Sequence, residues 1–183
     1  YVVSGTSYMR FSNPGIAKDE TNSSIINMLI DKLVTDVHSH KFSMLYNGHT
    51  ESSFGDRFSV YKPHVNEIHA DSGGLQIVTQ GMTITDELKD KVYENQAQWA
   101  DVGMCFDEIP VVLTGDRSDR NDTKARFFDF ENYEELARKT GRNVKRQLEI
   151  FDKANSKCKP YIILQGNCVD TYLRWYECLM EEV

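Results

Sequence analysis

Repetition of strand, polar turn and helix constrains this chain more than any other feature of its sequence. A β-like run at residues 1–3 ends in Ser4-Gly5-Thr6, and a polar loop through Asn13-Pro14-Gly15 leads into a helical segment. In that segment Ile25, Ile26, Leu29, Ile30, Leu33, Val34 and Val37 recur at helical spacing. Residues 41–46 form a second strand stopped by Asn47-Gly48, and residues 67–70 a third that ends at Asp71-Ser72-Gly73-Gly74. Thr85 caps the next helix, which turns Leu88 and Val92 inward and runs toward Trp99. Residues 102–106 are a fourth strand ending at Asp107-Glu108-Ile109-Pro110. After a charged loop at 114–123, a long helix over 133–154 carries Leu136, Val144, Leu148 and Phe151 on one side. Residues 161–164 are a fifth strand closed by Gln165-Gly166-Asn167, and a last helix starting near Val169 carries Leu173, Tyr176 and Leu179.

Strand, loop and helix in alternation predict an α/β protein built of parallel β/α units, in which ligands bind at the carboxyl ends of the strands. A closed eightfold barrel typically needs about 250 residues. Five units in 183 residues therefore fit the first part of such a (β/α)8 TIM barrel. We expect residues 1–183 to be the N-terminal part of a single catalytic domain, inactive and prone to associate through open sheet edges when isolated.

With 40% hydrophobic and 27% charged residues, the chain has the composition of a globular protein with one sizeable core. No apolar run is long enough to span a bilayer, and residues 1–3 lack the pattern of a secretory signal. A cytoplasmic protein with no membrane partner is expected. Cys105, Cys158, Cys168 and Cys178 follow no paired spacing, which points to reduced thiols and no metal site. The net charge of −7 argues against broad attraction to nucleic acid, which requires clustered Lys and Arg.

Asp71, Asp107 and Gln165 each close a predicted strand, so they are expected to point into one pocket. A carboxylate only accepts hydrogen bonds, whereas a primary amide both donates and accepts. Together they suit a ligand edge with adjacent N–H donors beside a carbonyl, as on the Watson–Crick edge of guanine. Adenine sets a donor against the amide's donor, at a cost of ~1–3 kcal/mol for the unpaired group. Gly73 and Gly74 allow a flat ring to approach the backbone. The other reading of "DSGG" is a tight βα turn whose Asp or Ser caps the next helix.

"DSGGLQ" at 71–76, "FDEIP" at 106–110 and "ILQGN" at 163–167 together resemble the tRNA-guanine transglycosylases, in the same order and with similar spacing. Leu75 and the "QIVTQG" continuation are most similar to the phage and bacterial relatives that insert 7-deazaguanine bases into DNA. The resemblance implies that Asp71 contacts the base and acts as general acid/base, while Ser72, Gly73 and Gly74 line the pocket. It assigns Asp107 to the ring N–H and exocyclic amine, and Gln165, with Gly166, to the ring carbonyl. The family reaction displaces guanine through a covalent sugar–enzyme intermediate and then attaches a 7-deazaguanine; base access in a duplex requires flipping or strand opening.

Family members carry their nucleophilic Asp on the last barrel strand, after a Gly-Gly-Leu loop on the sixth, and the tRNA enzymes add a zinc site beyond it; none of these occurs in residues 1–183. Leu75 also removes a ring that stacks on the base. The implied function is exchange of guanine in DNA for a 7-deazaguanine such as 7-cyano-7-deazaguanine, with no cofactor held by these residues. Its partners are then DNA, the two bases, and the rest of the barrel or a partner subunit. If phage-encoded, it works in the host cytoplasm. Two alternatives stand beside it: the same exchange on tRNA, in the queuosine or archaeosine pathways, and a non-catalytic barrel subunit supporting a partner enzyme.

Two other features have simpler readings. His38-x-His40 lacks a third ligand at a recognisable spacing, so surface or capping roles are expected, and His49, His64 and His69 add none. Arg138, Arg142, Lys145 and Arg146 form a basic stripe interleaved with Glu134, Glu135 and Glu149, the pattern of a salt-bridged solvated face.

Overall fold

The computed structural model of the chain describes residues 2–4, 43–49, 62, 65–74, 83–113 and 126–183. The helix expected over 25–37, the loop at 114–123, Leu75 with "QIVTQG", and His38, His40 and His64 lie outside the described residues. In chain order the elements are β1 (Val2–Ser4), β2 (Ser43–Asn47), β3 (Ile68–Asp71), α1 (Asp86–Trp99), β4 (Val102–Met104), β5 (Val111–Leu113), β6 (Arg126–Phe128), α2 (Tyr133–Lys153), β7 (Lys159–Tyr161) and α3 (Val169–Met180). They fall into two compact units, Tyr1–Met104 with Glu149–Tyr161, and Cys105–Leu148 with Ile162–Val183.

The first unit is a five-stranded sheet in the order β1-β2-β3-β4-β7, parallel throughout. The expected α/β class with parallel units is therefore found. Alternation sets the faces: Met44, Tyr46, Ile68 and Ala70 are buried, while Leu45, Asn47, His69 and Asp71 are half-buried. Burying a side chain such as Ile68 contributes about 2 kcal/mol. From α1, Val92 and Tyr93 are buried, and Tyr46 Oη donates to Asn95 Oδ1 at 2.7 Å. The α1 start matches its sequence signature, with Thr85 Oγ1 accepting from Leu88 N at 3.3 Å and Asp86 and Glu87 in the first turn.

The fifth strand lies earlier than expected. Pairing with β4 involves Lys159–Tyr161 rather than 161–164. The apolar run Tyr161-Ile162-Ile163-Leu164 gave a β signal stronger than "KPY". Pro160 is tolerated because Lys159 N bonds toward β4, onto Asp101 O at 2.9 Å, so the alternating Pro160 nitrogen points to the other side. The turn that precedes this strand is also specific: Asn155 takes a left-handed φ of 47° and Ser156 N closes on Phe151 O at 2.9 Å, ending α2.

In the second unit, β5 and β6 form an antiparallel pair that alternation alone did not announce. Tyr133, Leu136 and Ala137 of α2 pack with Trp175, Cys178 and Leu179 of α3. The two helices approach closely at Gly141, where a Cβ would overlap Leu179 O. Leu173 and Tyr176 of α3 are exposed, and Trp175 carries its burial instead. The basic stripe is salt-bridged as expected: Arg138 and Arg142 meet Glu181 at 3.0 Å and Glu135 at 2.7 Å, and Arg174 joins Glu134 at 2.9 Å. The Arg174 hydrogen bond holds the Glu134 carboxyl below its ordinary range.

No helix among the described residues is long and apolar enough to cross a membrane. Thr85→Ala removes the α1 cap and should lower stability by ~1 kcal/mol, read as a shifted urea midpoint, while Thr85→Ser should retain most of it.

Candidate functional site

Asp71 is the last residue of β3, paired in register with Asn47 at the end of β2. The turn that follows is tightly built. Ser72 is 2% exposed and its Oγ accepts from Gly74 N at 3.3 Å, while Gly48 N donates to Asp71 O at 2.8 Å. Gly73 needs to be glycine on two counts: its φ is +77°, and a Cβ would stand 2.5 Å from Asn47 Oδ1. Asn47 is held in turn by accepting from His49 N at 3.0 Å. Burial raises the Asp71 carboxyl above its ordinary value of 3.8, against the opposing pull of the Ser72 and Gly73 N–H groups. A carboxyl in that state keeps its proton to higher pH, which suits proton transfer.

Asp107, Gln165 and Gly166 belong to the second unit. Gln165 Nε2 donates to Asp107 Oδ2 at 2.6 Å across 58 residues of sequence. Neither residue closes a strand as expected, since β4 ends at Met104 and β7 at Tyr161. Extended past Met104↔Tyr161, the ladder would set Leu164 opposite Asp107; the one-residue offset marks where regular pairing has stopped. Side chains then fix the irregular segments. Asn143 Nδ2 donates to Phe106 O at 3.0 Å, Glu108 N donates to Thr140 Oγ1 at 3.0 Å, and Trp175 Nε1 donates to Ile163 O at 3.2 Å. Gly166 lies against Tyr172, whose Cγ would be 2.8 Å from an added Cβ.

The neighbouring thiol is unreactive. Burial, with a further push from the Asp107 charge, raises Cys105 to about 12, so its thiolate is scarce at neutral pH. Among the described residues no group of His, Cys, Asp or Glu is placed to hold a metal ion.

The structure thus joins Asp107 to Gln165, and sets Asp71 and Gly73 beside Asn47. Asn47 escaped sequence reasoning because Asn-Gly reads first as a strand stop; its in-register position beside Asp71 was the signal. No protein-family model matches the chain, and no curated protein or solved structure shows significant similarity to it.

Two outcomes test this geometry. Gly73→Ala should destabilise the chain by about 1–2 kcal/mol for the left-handed backbone alone, and Asn47→Ala in the same chain should recover only the steric part; calorimetry of the single and double variants checks both. For Asp71 the sign follows from the raised value. Folding holds this proton more tightly than the unfolded chain does, so stability falls as pH rises from 3.8 through the folded-state value. Asp71→Asn should therefore raise the urea midpoint at neutral pH, and the gain should vanish below pH 3.8.

Proposed function

We propose that the chain forms part of a base-exchange glycosyltransferase that replaces guanine in DNA with a 7-deazaguanine, on a β/α-barrel scaffold. The observation that carries this reading is the 2.6 Å bond between Gln165 and Asp107. An amide that gives one N–H to a carboxylate keeps its second N–H for a carbonyl, and each carboxylate oxygen accepts more than one donor. The pair therefore offers one donor beside two acceptor oxygens, complementary to O6, N1–H and the exocyclic amine of guanine. A 7-deazaguanine has the same edge, so one reader serves both the leaving and the incoming base.

Consecutive strand order supports the scaffold. Doubly wound sheets reverse direction at a switch point, whereas β1-β2-β3-β4-β7 adds each strand on the same side, as a barrel does. In this reading Asp71 gives a proton to the departing guanine and recovers one from the incoming base, so the exchange is proton-neutral. Its raised carboxyl value favours the donating state.

Asp107→Asn should weaken guanine binding by ~2 kcal/mol or more, since a charge-assisted contact is lost and donors face donors. Calorimetric titration with guanine and 7-cyano-7-deazaguanine checks this, and unchanged affinity removes Asp107 from recognition. With the full-length native protein, radiolabelled guanine should enter DNA more readily than unmodified tRNA. Labelling of tRNA alone, at matched salt, transfers the reading to tRNA with its chemistry intact.

A further inference from the structure

Pairing between β3 and β4 stops early. β2 and β3 stay in register through Asn47↔Asp71, whereas β3 and β4 are matched only at His69↔Val102 and Ala70↔Gly103. Where that pairing ends, one side chain bridges the two strands. Gln96 Nε2, from α1, donates to Ala70 O at 3.3 Å and to Met104 O at 2.9 Å. A primary amide has two N–H groups, the number that two carbonyls require.

Gln96 has no exposed surface. A side chain there only to fill space would be apolar, because a buried amide is costly unless its hydrogen bonds are met. Gly103 makes room for it: a Cβ at that position would stand 2.7 Å from Gln96 Oε1.

We propose that Gln96 is a positioning residue: wedged between the carboxyl ends of β3 and β4, it replaces the ladder there, fixes the Ala70 peptide, and so sets where Asp71 projects. The functional part rests on the reading of Asp71 as the acid/base group. Without the amide, the Ala70 and Met104 carbonyls lose these donors, and buried carbonyls in that state recruit water. Water beside β3 hydrates the Asp71 carboxylate and relieves the burial that raises its proton affinity. The other titratable groups on the elements around β3 include Glu67 just before it, His69 on it, His49 after β2, Lys159 on β7, and Asp101 before β4, whose Oδ2 accepts from Ile68 N at 2.9 Å and whose Oδ1 meets Lys62 at 3.0 Å. Glu67 holds His69 at 3.1 Å and Lys159 at 3.7 Å, and neither contact involves the amide being removed.

The test is a residue-resolved carboxyl NMR titration of Asp71 in the native, Gln96→Met and Gly103→Ala chains, alongside thermal unfolding. Gln96→Met deletes both donors; Gly103→Ala displaces the amide without deleting it. The Asp71 midpoint should fall toward 3.8 in Gln96→Met and move the same way, by less, in Gly103→Ala. In base exchange Gln96→Met should lower kcat about a hundredfold, as misplacement of a reacting group does, with KM for the base within roughly twofold. If Gln96→Met does not fold, Gly103→Ala decides alone. A midpoint that stays at its native value in a folded variant overturns the proposal, even where thermal stability drops, because a packing role alone gives that result. Exchange by the full-length protein that persists undiminished in Asp71→Asn overturns only the acid/base reading, and the titration still decides the wedge.

Discussion

Strand ends in a parallel sheet have backbone groups that the ladder no longer reaches, and each must find a partner or lie in water. This chain meets the requirement with side-chain donors and acceptors. In the first unit Gln96 serves Ala70 O and Met104 O, and Asn47 serves His49 N. In the second, Asn143 serves Phe106 O, Thr140 serves Glu108 N, and Trp175 serves Ile163 O. Removing either member of such a buried contact costs about 1–3 kcal/mol, so the segments carrying Asp71, Asp107 and Gln165 are held by interactions that regular secondary structure does not supply.

That solution also decides which groups stay reactive. Burial that satisfies carbonyls with amides leaves thiols without a stabilising charge, and Cys105 and Cys158 are both pushed up to about 12. Asp71 differs because it sits at the rim, half-buried, with its proton favoured by burial and its anion still served by two backbone N–H groups. A group balanced in that way keeps its proton to higher pH than an ordinary carboxyl, whereas Cys105 and Cys158 cannot act as nucleophiles at neutral pH.

Periodicity made the parallel sheet legible, because short apolar strands alternating with amphipathic helices leave few other arrangements. α1 was read nearly residue by residue, since Thr85 announces its cap, and α2 was read to within a residue at its carboxyl end. The fifth strand was misplaced because "YIIL" has the stronger β propensity, while the true strand contains a proline that only the free side of the pairing tolerates. Asp107 and Gln165 were picked as strand ends and are not, yet they meet. Residue type identified them where boundary placement failed. Gln96 was invisible for the opposite reason: a glutamine in a helix reads as solvent-facing, and its burial depends on a strand divergence that no local pattern encodes.

Charge is the remaining constraint on any nucleic-acid substrate. Among the cations of α2 and α3, Arg138, Arg142 and Arg174 are each engaged by carboxylates. Glu134 and Glu177 hold Arg174, Glu134 and Glu181 hold Arg138, and Glu135 and Glu182 hold Arg142. The hydrogen bond that Arg142 donates to Glu135 raises its guanidinium above its ordinary value, and that donated by Arg138 to Glu181 does the same. A phosphate would have to displace a carboxylate already in bonding geometry, exchanging one charge-assisted contact for another with little net gain. A phosphate therefore gains little at these three arginines. In the proposed reading, discrimination between bases therefore rests on the base edge, where a carboxylate joined to an amide offers both donor and acceptors.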